Sequence, residues 1–134
     1  MKVGMSRLVF LLVCFAIALP VFAQVALHEG QGYPLKGVWL GDWGTNKTNR
    51  NQVVIEMDWD GKIATGTLNP GANGVPLSKV ELNHNNWTVH LEGDSKGTKY
   101  LIDGKIENLG SVRRSIVGTW VQGNQKGDFK ITRH

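Results

Sequence analysis

From residue 37 onward the chain breaks into runs of six to ten residues separated by clusters of Gly, Asn, Asp and Pro, and no run carries helical periodicity. The residues from Gln52 to Trp59 alternate cleanly: Val53, Ile55, Met57 and Trp59 share one face, with Glu56 and Asp58 on the other. That is the period of a strand with one buried side. Asp60-Gly61 then leads into a second run ending at Leu68, and an Asp-Gly between two such runs is a strong hairpin signal. Val80 and Leu82 match Trp87, Val89 and Leu91 across Asn83-His84-Asn85-Asn86, which predicts a second hairpin with Lys79, Glu81, Thr88, His90 and Glu92 on its outer face. The full reading is eight strands, near 37–43, 51–59, 62–68, 77–82, 87–92, 98–107, 112–121 and 127–133.

Eight short strands joined by hairpin-length turns make an all-β domain, and local order favours an eight-stranded antiparallel up-and-down β-barrel. The alternative is a two-sheet β-sandwich, whose crossing between sheets would need the long connection from Asn69 to Pro76. In a barrel that connection is a rim flap.

Residues 1–23 stand apart. Lys2 and Arg7 precede an apolar run from Leu8 to Leu19, and Val21-Phe22-Ala23 supplies a small residue at −1 and a tolerated Val at −3 of a cleavage site, so these residues read as a secretory signal peptide removed after Ala23. The run is too short to span a bilayer well, and no membrane anchor is expected after cleavage. Cleavage leaves 111 of the 134 residues and lowers the formal charge from +4 to +2, because the leader holds two basic residues and no acid. So small a charge gives nucleic acid no electrostatic footing. The one cysteine, Cys14, lies inside the leader, so the mature chain is expected to have no disulfide and no thiol chemistry. A disulfide-free exported domain fits a periplasmic or secreted protein, with residues 24–36 as a short lead and residues 37–134 as a single domain.

The two ends of the domain echo each other. Gly37-Val38-Trp39 opens the first strand and Gly118-Thr119-Trp120 lies in the seventh, each glycine on the same strand face as its tryptophan and leaving room for the indole. In the last strand Arg133 is in phase with Phe129 and Ile131, and its guanidinium could stack on Trp39 and donate to main-chain carbonyls at one end of a barrel. Gly37, Trp39, Gly118 and Arg133 are therefore the expected closure residues.

This pairing of a first-strand Gly-x-Trp with a last-strand arginine resembles the closing signature of the calycin superfamily, the lipocalin, fatty-acid-binding and avidin-like barrels. Asp60-Gly61-Lys62-Ile63-Ala64-Thr65-Gly66-Thr67-Leu68 is similar to the second hairpin of avidin-like chains. Trp39-Leu40-Gly41-Asp42-Trp43-Gly44, Asn69-Pro70-Gly71, Trp87-Thr88-Val89-His90 and Gly118-Thr119-Trp120, with Gly127 to Arg133, resemble a family of small exported bacterial proteins of unknown function. The resemblance implies a calycin-like barrel. It does not carry biotin binding, because Gly41 and Leu68 stand where a polar side chain and a tyrosine would be expected.

Close to eighteen apolar positions are in phase: Trp39, Trp43, Val53, Ile55, Met57, Trp59, Val80, Leu82, Trp87, Val89, Leu91, Tyr100, Ile102, Ile106, Ile116, Trp120, Phe129 and Ile131. An eight-stranded barrel is just wide enough for its own side chains or one small ligand, so any cavity is expected to be small. The candidate lining is Trp43, Tyr100, Arg114 and Trp120; Arg114, in phase with Ile116 and Trp120, would there meet an anion, or else turn outward through a bulge.

Two classes of function follow. In the first, a non-enzymatic barrel binds a small molecule or an envelope protein partner at one rim. In the second, a carbohydrate- or envelope-binding module uses exposed Trp as a stacking platform, with Trp43 as the residue best placed outside the core. A small barrel enzyme is a third reading, but the acids are scattered, and Glu81, His90 and Glu92 form an outer-face charge group rather than a pocket. His28, His84, His90 and His134 show no metal-ligand spacing, and neither a metal nor a cofactor is expected.

Overall fold

The computed structural model describes residues 32–134, so the expected leader, residues 1–23, and most of the lead lie outside the described residues. Eight strands follow Leu35: β1 (Gly37–Gly44), β2 (Arg50–Trp59), β3 (Ala64–Leu68), β4 (Val75–Asn83), β5 (Thr88–Ser95), β6 (Thr98–Glu107), β7 (Ser115–Gln122) and β8 (Gln125–Arg133). Each pairs antiparallel with its sequence neighbour, and β1 pairs with β8 from Trp39↔Arg133 to Gly44↔Asp128. The sheet is thus a closed up-and-down barrel. A sandwich is excluded, because the connection after Asn69 joins the adjacent strands β3 and β4 and crosses nothing.

Alternation builds the wall. Trp39, Ile55, Leu68 and Val75 form one inward row across β1 to β4, each paired with the next, and all four are buried. A second row runs through Leu91, Ile102 and Trp120 on β5 to β7. Val53, Met57, Val89, Ile106, Ile116, Phe129 and Ile131 fill the space between them, so the interior is occupied by the protein's own side chains.

Two glycines let β6 and β7 approach closely. Gly104 and Gly118 face each other across β6 and β7, and a methyl group on Gly118 would overlap the Asp103 carbonyl oxygen. One on Gly104 would lie 3.0 Å from the tip of the Phe129 ring. The buried aromatic ring takes the space that the glycine leaves.

Several expected boundaries move. The seventh strand begins at Ser115 rather than near 112, because residues 108–114 form a loop. The 60–63 turn is wider than a two-residue hairpin: the Asp60 carboxylate accepts from the Lys62 and Ile63 amides at 2.8 and 2.7 Å, which pulls its pKa below the usual carboxylate value. Trp87 leaves the expected strand. It sits in the 84–87 turn at φ 56, half-buried and edge-on to the His84 ring at 5.3 Å, so it is not a core residue. Trp59 is also only half-buried, at the end of β2. Leu35, ahead of the first strand, and Leu68 are fully buried instead.

Candidate functional site

The topology sends the two groups of expected residues to opposite ends. At one end lie Leu35, the start of β1, the 108–114 loop and the end of β8. Here the Trp39 indole donates to the Leu35 carbonyl at 2.8 Å, and both side chains are fully buried. The Arg133 Nε donates to the Val112 carbonyl at 3.1 Å and a terminal nitrogen to that of Lys36 at 3.4 Å. Its stem takes the space beside Gly37, whose φ of 132 and missing side chain leave Arg133 carbons 3.1 and 3.2 Å from where a Cβ would stand. Gly37 therefore makes room for the arginine, and Gly118 for the β6 backbone, rather than each for its neighbouring indole.

Arg114 also belongs to this end. It is 7% exposed, neither out in solvent nor beside the other three candidate lining residues. Its guanidinium donates to the carbonyls of Leu109 and Ser111 at 3.0 and 3.3 Å, and burial, with Arg133 nearby, pulls its pKa below the usual arginine value. A buried cation is expensive unless it is hydrogen-bonded. The backbone of its own loop satisfies Arg114 and holds residues 108–114 across this end.

Trp43, Trp120 and Tyr100 gather towards the opposite end. The Trp43 and Trp120 rings lie 5.0 Å apart at 42°, and the Trp120 indole donates to the Asp128 carbonyl at 3.0 Å. Outside the same end, Arg50 spans the closure seam, donating to Asp42 of β1 at 2.6 Å and to Asp128 of β8 at 2.5 Å. No sequence pattern announces this bridge, because Asp128 joins Arg50 and Asp42 only when β8 closes against β1.

Tyr100 lines a recess of about 310 Å³ between Ala72 to Gly74 of the β3–β4 connection, with Val75 at the start of β4, and the tip of the β5–β6 hairpin, Ser95, Lys96 and Thr98. Among the described residues, the polar lining of the recess is three hydroxyls, one amide side chain and one ammonium group, beside the apolar side chains of Ala72 and Val75. The long connection is held in place at its start, where the Asn69 amide donates to the Val54 carbonyl and the Asn69 side chain accepts from the Val54 amide.

A second cluster lies on the outer wall. His90 of β5 contacts Asp103 of β6 through Nδ1 and Glu92 through Nε2, each at 2.6 Å. Glu81 of β4 is its partner on the other side, and Lys99 lies 3.5 Å from Glu92. A neutral imidazole has only one N–H, so holding carboxylates on both nitrogens requires the imidazolium. Glu92 and then Asp103 accordingly raise the His90 pKa above its ordinary 6.5, and His90, with Lys79 and Lys99, lowers that of Glu92 below 4.5. The stability that His90 contributes is complete below about 6.5 and is lost as pH rises through its raised folded value; that of Glu92 is complete above about 4.5 and is lost on acidification. Both act fully only between those values. An NMR titration should therefore find His90 above 6.5 in the wild type and lower in Asp103→Asn and Glu92→Gln; a wild-type value at or below 6.5 would refute the two-carboxylate clamp.

Among the described residues, no group of three or more His, Cys, Asp or Glu side chains is arranged to hold a metal ion. No family model, curated protein or solved structure matches the chain.

Proposed function

We propose that this chain is an exported, calycin-like binding protein that holds a small molecule at the rim lined by Tyr100 and performs no chemistry on it. The observation that carries this reading is the recess between the β3–β4 connection and the β5–β6 tip, whose volume of about 310 Å³ lies at the small end of ligand sites. The filled interior supports it, because side chains from every strand occupy the lumen and a guest is left with the rim. Trp43 and Trp120 stiffen the neighbouring part of that rim through their ring contact. Arg114 has no part in the site.

The test is native mass spectrometry of the mature protein isolated from the cells that make it, followed by denaturing extraction. The reading expects a one-to-one small-molecule adduct that Tyr100→Ala weakens or removes. An adduct that Tyr100→Ala leaves untouched would count against the rim.

One observation favours the carbohydrate-binding reading. Trp87, half-buried against His84, sits among Asn83, Asn85 and Asn86 at the other end, an aromatic face bordered by amides. An extracted oligosaccharide whose binding depends on Trp87 would move the function there.

A further inference from the structure

The tip of the β5–β6 hairpin carries a residue that its backbone disfavours. Ser95 pairs with Thr98, leaving the two-residue turn Lys96-Gly97, and both turn residues have positive φ, 52 and 81. Positive φ at both positions is the signature of a type I′ turn, whose first position prefers Asn, Asp or Gly. A lysine there keeps its side chain against the left-handed backbone at a cost in stability. Of the four described non-glycine residues at positive φ, Asn69 and Asn108 are of the type such positions favour, whereas Trp87 and Lys96 are not, and Lys96 alone of these two stands in a two-residue hairpin turn.

The recess supplies a reason for the lysine. Lys96 lines it together with Asn73, Ser95, Thr98 and Tyr100, and no acidic residue is among the described residues of that lining. No ion pair forms to Lys96 among the described residues, although Lys99, three positions on, reaches Glu92. A cation lining a small recess that also offers hydroxyl and amide groups matches a ligand that carries one negative charge and several hydrogen-bonding oxygens.

We infer that the rim recess takes a small carboxylate-bearing, hydroxylated molecule, and that Lys96 is kept at the tip of the turn to bind its carboxylate. The inference rests on the rim-binding reading above and adds the ligand's chemical class. Sequence and backbone conflict at a place where function gains from the conflict.

The experiment uses the mature protein and three pairs of probes, each an acid with a neutral counterpart: gluconate and sorbitol, lactate and propane-1,2-diol, benzoate and benzyl alcohol. Binding is followed by the amide shifts of ¹⁵N-labelled protein. At least one acid should bind about tenfold more tightly than its neutral partner, the size of one charge-assisted hydrogen bond, with shifts at residues 72–75 and 95–100 and an affinity that falls with added salt. Lys96→Asn should abolish that preference while raising the thermal midpoint, because Asn-Gly suits the turn better, and Lys96→Arg should keep the preference. Neutral members binding at the rim as tightly as the acids would overturn the carboxylate assignment and leave the rim reading standing. Undiminished acid preference in Lys96→Asn would overturn the role of Lys96. Binding that shifts only residues away from the rim, or no binding by any probe, would overturn the inference together with the rim reading.

Discussion

Gly118→Ala should abolish the cooperative fold or lower its stability by about 4 kcal/mol or more. The added methyl would overlap the Asp103 carbonyl oxygen and approach the Gly104 Cα within 2.5 Å. Both obstacles are backbone in the neighbouring strand, so no change of rotamer removes them. Relief requires β6 and β7 to part at the point where Phe129 packs over the glycine pair, which would open the wall beside Ile102, Ile116 and Trp120. Gly110→Ala is the control: it lies in open space without a positive φ, and its effect should stay within about 0.5 kcal/mol. Urea denaturation of the two variants measures the difference, and similar midpoints would show that β6 and β7 do not approach as described.

Trp39→Ala should cost about 3–5 kcal/mol, the range for removing a large buried side chain. Trp39 is fully buried, lies between Ile55 and Arg133 in the ladders of β1, and ties the segment before the barrel to its end through the Leu35 carbonyl. Removing it leaves a cavity beside Ile55 and a buried carbonyl without its donor. Trp39→Phe separates the two effects, restoring most of the packing and none of the hydrogen bond. A loss below about 1 kcal/mol for Trp39→Ala would mean that this end of the barrel closes without the indole.

The pattern of the sequence carried the wall of the barrel and missed its irregular parts, for definable reasons. Val53, Ile55 and Met57, or Leu91 and Ile102, show their burial because a regular strand has a period of two and nothing interrupts it. Val75 and Leu77 fall out of phase with Val80 and Leu82, because the register shifts between Leu77 and Lys79; one extra residue reverses the faces, and period alone cannot reveal it. Leu35 is fully buried with no strand around it to give a period. Trp87 has the phase of a core residue, but its left-handed backbone takes it out of the strand.

The candidate site was legible in the same uneven way. Tyr100 and Trp43 could be placed near a rim because they end or begin inward rows. Arg114 shares the phase of Ile116 yet lies outside the strand, where the 108–114 carbonyls capture it. Lys96 gave no signal as a residue type; its oddity exists only in relation to the φ angles of its turn. The His90 clamp was half visible. Glu92 shares its strand face, whereas Asp103 meets it only through the β5–β6 register.

On the proposed reading the barrel interior belongs to the protein and the rim to a guest. Methyl and amide NMR spectra of the mature protein are the decisive measurement, recorded on titration with the tightest-binding of gluconate, lactate and benzoate. Saturable shifts are expected at residues 72–75 and 95–100, with the methyl signals of Ile55, Leu91, Ile116 and Ile131 unmoved. Shifts concentrated on those four interior methyl groups, with the rim amides silent, would contradict that reading.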